Sequence, residues 1–302
     1  MFGLAVTAMQ ANAQTTKNVP WGTPTFTYTL QSDIVYGQGE VSGGGVFQDM
    51  HLDLYIPDIP PPPVGQNTMP LMLMLHPGGF ILGSKTVASV VASAQEYAQH
   101  GWLVAAMNYR LQGDDPIPSS RVQALYNAFG GASATLRDRT FVSAVDDTLT
   151  ALDFLHARSD VIDDWTTVWG SSAGGNVALA TSFALDDHAI ARPPVAVTIE
   201  LAGRFDGSEV GNPFDHPTTG DPALMSVIDP NDTRYTYSLQ TETWALAAGL
   251  TFDFQEVVGS GHPPDMFNYL ASTGVFLFQR SVDWHHETVF DGLAQGPQPP
   301  GC

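Results

Sequence analysis

Cysteine is almost absent: the one thiol, Cys302, stands at the last position, which excludes an intramolecular disulfide and a cysteine-based zinc site. Cations are scarce as well. Lysine and arginine total 11 against 31 aspartates and glutamates, and the net charge of -20 repels phosphate backbones and anionic lipid surfaces. Nucleic acid is therefore not an expected partner. Only 14% of residues are charged, so the acidity comes from missing Lys and Arg more than from abundant carboxylates. No apolar run reaches the roughly eighteen residues that a membrane-spanning helix needs. What the chain does have is 302 residues, 43% of them hydrophobic, enough to bury a large core and too apolar for disorder.

The ends read differently from the middle. Residues 1–20 open on a short apolar run followed by Ala11-Asn12-Ala13, a pattern like a signal-peptidase site. A signal-peptide remnant or flexible N-terminus is expected there, and with it a secreted or periplasmic location. Residues 293–302 form a proline and glycine tail that cannot pack. One catalytic-size domain, 21–292, lies between them.

Two strands come first, TFTYTLQSDIVYG and MHLDLYIP, the second alternating Leu52, Leu54 and Ile56 against His51, Asp53 and Tyr55. That period of two predicts a half-buried antiparallel pair, with the polar set facing solvent. Short apolar runs then alternate with helical patterns, the signature of a parallel sheet covered on both faces. The strand candidates are 71–75, 103–109, 166–170, 195–201, 223–228 and 252–258. Helices are expected over 87–100, around Val142 to Leu155, and over 176–185, 238–248 and 266–284. The stretch 112–139 shows no clear pattern.

Strand 166–170 runs directly into Gly170-Ser171-Ser172-Ala173-Gly174 and then a helix. A GxSxG elbow requires that context, and only Ser172 has glycine two residues before and two after. Upstream, His76-Pro77-Gly78-Gly79-Phe80 closes strand 71–75 and is close to an HGGG-type oxyanion loop. Pro77 has no N–H to give; Gly78 and Gly79 do. A serine nucleophile needs a base, and the base needs a carboxylate. His262 follows the last strand candidate on a turn at the sheet's carboxyl edge, whereas His285 and His286, late in the last helix, read as surface residues. For the acid, Asp232 emerges after strand 223–228 on the same side as His262. Asp229 competes with it, and Asp206 is a weaker third.

HPGGF, Asn108-Tyr109-Arg110-Leu111, GSSAGGN and the GSGH around His262 together resemble α/β-hydrolase carboxylesterases. The likeness is to the hormone-sensitive-lipase-like and BD-FAE-like groups, and it runs from about SDIVYG to the last helix. It implies a mostly parallel central sheet with helices on both faces, no cofactor and no metal; unlike many lipase-like members, the chain has no long amphipathic N-terminal segment resembling cap helices, so no large cap domain is expected. It further implies Ser172 as nucleophile, His262 as base, Asp232 as acid, and the N–H groups of Gly78, Gly79 and Ala173 as oxyanion donors. Arg110 would anchor loops. The family's HGxxD before the acid is here Ile228-Asp229-Pro230-Asn231-Asp232, without its histidine and glycine. Peptidases sharing the triad tend to carry a bulky aromatic where Ala173 stands, and non-catalytic scaffolds lose the serine or the histidine. The implied partner is a small-molecule or polymeric ester, with Phe80, Trp169, Phe205, Phe214 and Tyr235 expected near the cleft.

Overall fold

The computed structural model describes residues 16–61, 66–205 and 221–293. The signal-like start up to residue 15, the tail from 294, and Asp206 and Phe214 lie outside them. The sheet is built from β1 (Thr16–Lys17), β2 (Tyr28–Val41), β3 (Val46–Pro57), β4 (Asn67–Leu75), β5 (Leu103–Met107), β6 (Val161–Ser171), β7 (Val197–Leu201), β8 (Ala223–Ile228) and β9 (Phe252–Glu256). Its order is β2-β3-β5-β4-β6-β7-β8-β9, with the short β1 beside β4. The β2/β3 and β3/β5 pairs are antiparallel and the remaining pairs are parallel. Strands β5, β7 and β8 are buried at every residue, which is why they read as unbroken apolar runs.

Helices α1 (Ala88–His100), α2 (Gln123–Ala128), α3 (Leu136–His156), α4 (Ala173–Phe183), α5 (Tyr235–Ala248) and α6 (Leu277–Thr288) connect or flank these strands. They close two cores, one per face. Val142, Val145, Leu149 and Leu152 of α3 pack with Val177 of α4 on one side. Tyr97 of α1 and Val282 of α6 share the other with Trp169 and Met225.

Three expectations are corrected. The helix expected over 266–284 begins only at Leu277, because Gly274 takes a φ of 84° and Leu270 bridges Phe276. The patternless stretch 112–139 contains α2 and short 3-10 turns. The outward face of β3 is not solvent-facing: Asp53 and Tyr55 are buried, because β3 sits between β2 and β5 with α1 packed over it.

The buried Asp53 carboxylate is matched by Lys85, whose Nζ lies 2.7 Å from Asp53 Oδ1 and 2.9 Å from the exposed Asp33. Burial opposes charge on Lys85, yet hydrogen bonds and attraction from Asp33 and Asp53 hold its pKa above the ordinary lysine value. Lys85→Met leaves Asp53 charged and unpaired inside the fold, and is expected to cost about 3–5 kcal/mol in urea unfolding. Adding Asp53→Asn should recover part of that loss, whereas an unchanged midpoint for Lys85→Met would refute the pairing.

Candidate active site

In an open parallel sheet, ligands gather at the carboxyl ends where the strand order reverses. Here β4 leads through α1 to β5 on one side, and β6 pairs with β4 on the other, so the switch falls between β4 and β6. Leu75 is in register with Gly170, which sets the His76 loop directly beside the Ser172 turn. The two glycine motifs, ninety-odd residues apart, are thus neighbours because of topology.

At the turn, Ser172 has φ 53° and ψ -112°, a conformation that side chains seldom adopt and that surrounding contacts must enforce. A Cβ on Gly170 would lie 2.2 Å from the Gly174 carbonyl oxygen, and one on Gly174 would lie 2.2 Å from that of Leu75. Both glycines are required for the strand and helix to approach this closely. The Ser172 N–H donates to the Leu201 carbonyl at 2.8 Å, fixing the turn to β7.

Ser172 Oγ lies 2.7 Å from His262 Nε2, and His262 Nδ1 lies 2.5 Å from Asp232 Oδ2. With Nδ1–H donated to the carboxylate, the Nε2 lone pair faces the serine hydroxyl. The imidazole is partly exposed and the Asp232 side chain only 2% exposed, so the carboxylate's negative charge is shielded from solvent while the ring can be reached. Asp232 Oδ1 also accepts the Arg234 N–H at 2.8 Å, which orients it. The three side chains form a proton path that can draw a proton from the serine oxygen and hold the imidazolium that results.

Asp229 does something else. Its Oδ1 accepts the Asn231 N–H at 2.9 Å and its Oδ2 the Gly261 N–H at 2.8 Å, tying the acid loop to the residue before His262. Those donors, Asn231 first and then Gly261, hold its pKa below the ordinary aspartate value.

In the loop after β4, Gly78 has φ 137° and Gly79 has φ 64°. A Cβ on Gly78 would come within 1.7 Å of the Leu82 carbonyl oxygen. The His76 ring stacks on Tyr109 at 4.1 Å and its Nδ1 meets the Pro77 carbonyl oxygen at 2.8 Å, so the loop is braced from behind. Burial pushes the His76 pKa down to about 4, leaving a neutral ring at pH 7. Ala173 is the first residue of α4, where a backbone N–H has no intrahelical acceptor. Among the described residues, the N–H groups of Gly78, Gly79 and Ala173 donate to no other group.

The aromatic residues expected at the cleft are scattered. Phe80 is fully buried in the core against Tyr109 and Phe141, and Phe205 is buried beside Trp244. Phe80 is thus held in the core rather than at a cleft surface. Tyr235 is half-buried and donates its hydroxyl to Glu256. Trp169 is buried on the α1 face of β6, where it lines a cavity. His285, expected at the surface, is also buried: Thr167 lies 2.8 Å from its Nε2, and burial drives its pKa down to about 4. Arg110 is buried, pairs with Asp147 through Nε at 2.9 Å, and donates to the Glu40 and Ile117 carbonyls, so it does anchor loops.

Sequence reading passed over Glu200 and Asn176. Glu200, inside β7, accepts the Gly203 N–H at 2.6 Å and the Ser226 hydroxyl. Asn176, in the first turns of α4, accepts the Arg204 N–H at 2.9 Å, and Arg234 donates to the Ala202 carbonyl at 2.8 Å. The turn after β7 is therefore held by the strand, the elbow helix and the acid loop at once. A lone glutamate in the apolar run VTIEL was the available signal. Burial raises the Glu200 pKa to about 7, against the lowering effect of Ser226, Gly203 and Arg234. A raised acid pKa means that the folded state binds the extra proton, so this contribution is full below the ordinary value near 4.5 and fades as pH rises through 7. The stability advantage of wild type over Glu200→Gln is thus expected to shrink by about 3 kcal/mol between pH 4.5 and 8 in denaturant titrations. An advantage that grew with pH would contradict this.

No family model matches the chain, and no curated protein does. Solved structures do. A truncated carbohydrate esterase from gut microbiota superposes with a TM-score of 0.60 at 12% identity, over 89% of this chain and 99% of that one. This chain has the α/β-hydrolase fold. Thermogutta terrifontis esterase 2 phosphorylated by paraoxon matches the same α/β-hydrolase frame at TM-score 0.59 and 17% identity, covering 88% and 95% of the two chains. Brefeldin A esterase, a bacterial homologue of human hormone-sensitive lipase, follows at 0.54 and 12%, over 89% and 77%. In this fold Ser172, Asp232 and His262 stand together at the carboxyl edge of the sheet, the edge at which ligands gather in open parallel sheets.

Proposed function

We propose that the protein is a serine hydrolase of carboxylic esters. One observation carries the reading: the unbroken relay from Ser172 Oγ through His262 to a buried Asp232, beside three backbone N–H groups that have no partner among the described residues. In the first step the serine oxygen bonds to the ester carbonyl carbon as its proton passes to His262 Nε2. The tetrahedral oxyanion is received by the N–H groups of Gly78, Gly79 and Ala173. Collapse breaks the bond to the alcohol oxygen, which takes the proton from His262, and water repeats the sequence on the acyl-enzyme.

Short-to-medium acyl, aryl or polymeric esters are the proposed substrates, feruloyl and acetyl-xylan esters among them. Esterases among the structural neighbours support this reading, including one phosphorylated by paraoxon. The direct test is hydrolysis of para-nitrophenyl acetate and butyrate, with paraoxon inactivation adding one diethyl phosphate at Ser172 by peptide mass. Absence of both turnover and labelling would overturn the proposal. A secreted or periplasmic location is also proposed, on the apolar start before Ala11-Asn12-Ala13. N-terminal sequencing of the protein recovered from culture medium or periplasm tests it.

A further inference from the structure

Strand β5 ends at Met107, opposite Leu52, whereas β3 extends past that point as far as Val46. Beyond Leu52, β3 has only β2 beside it. A cavity of roughly 230 Å³ lies at this end, between residues 48–51 of β3, the loop after β4 and the chain that leaves β5. At ~30 Å³ for each water it holds about seven, which is room for one sugar ring. The far wall is fixed in place, because the Ser42 N–H donates to the Asp114 carbonyl at 2.8 Å and the Ile117 N–H to that of Glu40 at 3.0 Å. A ligand therefore meets a preorganised surface.

The lining is polar, and its free acceptors outnumber its free donors. Asp49 gives one carboxylate oxygen to Gln38 Nε2 at 2.9 Å, and Asp114 gives one to the Leu111 N–H at 2.7 Å. The second oxygen of each has no partner among the described residues. His76, only 1% exposed, donates its Nδ1–H to the Pro77 carbonyl at 2.8 Å, which makes Nε2 an acceptor. No donor among the described residues reaches that Nε2, and a buried acceptor left unmet is costly. Asn108 differs: its Oδ1 accepts the Lys85 N–H at 2.7 Å, leaving the amide N–H₂ to donate. A cation would answer the acceptors and leave this donor unmet. Hydroxyl groups both donate and accept, so a ligand bearing several of them answers all four residues. No lysine or arginine lines the cavity, so an anion gains nothing there.

We propose that this cavity is a binding site for one neutral sugar ring, separate from the cleft at Ser172. It lies at the end of β5, with β4 between that strand and β6, which leads into Ser172. Binding there requires no ester chemistry and is read without turnover.

Saturation-transfer NMR on the full chain tests it with methyl β-glucoside, methyl β-xyloside and xylotetraose, with methylammonium and glucuronate as charged controls. Wild type should bind at least one of the neutral sugars saturably and both ions more weakly. Asp49→Ala and Asp114→Asn are each expected to weaken sugar binding about tenfold, as the loss of one hydrogen bond to a charged acceptor does. Asp49 is exposed, and asparagine at 114 keeps an oxygen for the Leu111 N–H, so the thermal transition should hold in both. Equal affinity for xyloside and xylotetraose marks a free sugar as the occupant, and tighter binding of xylotetraose marks a chain end; either sustains the site. No saturable binding of any neutral sugar, tighter binding of either ion, or unchanged affinity in both aspartate variants would overturn it. So would a loss of binding in Thr233→Trp, which narrows the groove beside Asp232 and His262, without a loss in Asp49→Ala.

Discussion

Ser172→Ala is expected to lower kcat on para-nitrophenyl acetate by about 10⁴ to 10⁶, because no other group can supply the attacking oxygen along the His262 relay. Whatever turnover remains belongs to the oxyanion donors and to binding, which still favour attack by water. Loss of paraoxon labelling should accompany the loss of rate, and both are read against an unchanged thermal transition. Ser172→Gly sharpens the point. Glycine removes the hydroxyl and also relieves the φ of 53°, so this variant should be inactive and about 1 kcal/mol more stable than wild type. A strained serine that is neither needed for rate nor costly to stability would contradict both halves.

Asp232→Asn is the second large effect, with an expected fall of about 10⁴ in kcat. The amide can present its N–H₂ to His262 Nδ1, which then favours the tautomer carrying a proton on Nε2. In that tautomer the ring cannot accept the serine proton. The imidazolium formed in the transition state also loses its counter-charge. Asp229→Asn makes the informative comparison. Its loss leaves the Gly261 N–H facing a poorer acceptor and should lower stability, with the fall in kcat well short of that for Asp232→Asn. Equal losses of kcat for the two variants, or a larger one for Asp229, would reassign the acid.

Local signals made much of the fold legible. Period-two and unbroken apolar runs marked the strands from β2 onward, since burial on one or both faces acts on each residue separately. Helix ends were less certain: α4 begins at Ala173, three residues before the expected start, because the Ser172 turn enters the helix at once. The expected helix over 266–284 was a miss of the same kind. Its apolar spacing is helical in part, but Gly274 and the bridge from Leu270 to Phe276 end the pattern, and a periodicity argument does not weigh such contacts.

The candidate site divides along the same line. Ser172 was readable because two glycines within four residues are a local requirement of the turn, and His262 because it sits where a strand must end. Asp232 and Asp229 were not separable, being three residues apart on one loop; only the distances to His262 and Gly261 distinguish them. Phe80 illustrates the opposite error. Its place after two glycines suggested a cleft, whereas the positive φ at residues 78 to 80 turns the chain so that the ring enters the core.

By itself the sequence determined the order of strands and helices, the elbow serine and the glycines that permit its backbone, because those depend on neighbours a few residues away. Tertiary structure alone decided which carboxylate meets the histidine, that Lys85 and Asp53 pair inside the sheet, that Glu200 is buried beneath the elbow, and that a cavity opens beside it. Each of these is a meeting of side chains tens of residues apart, and the strand order that brings them together is set by how the whole sheet buries its two faces.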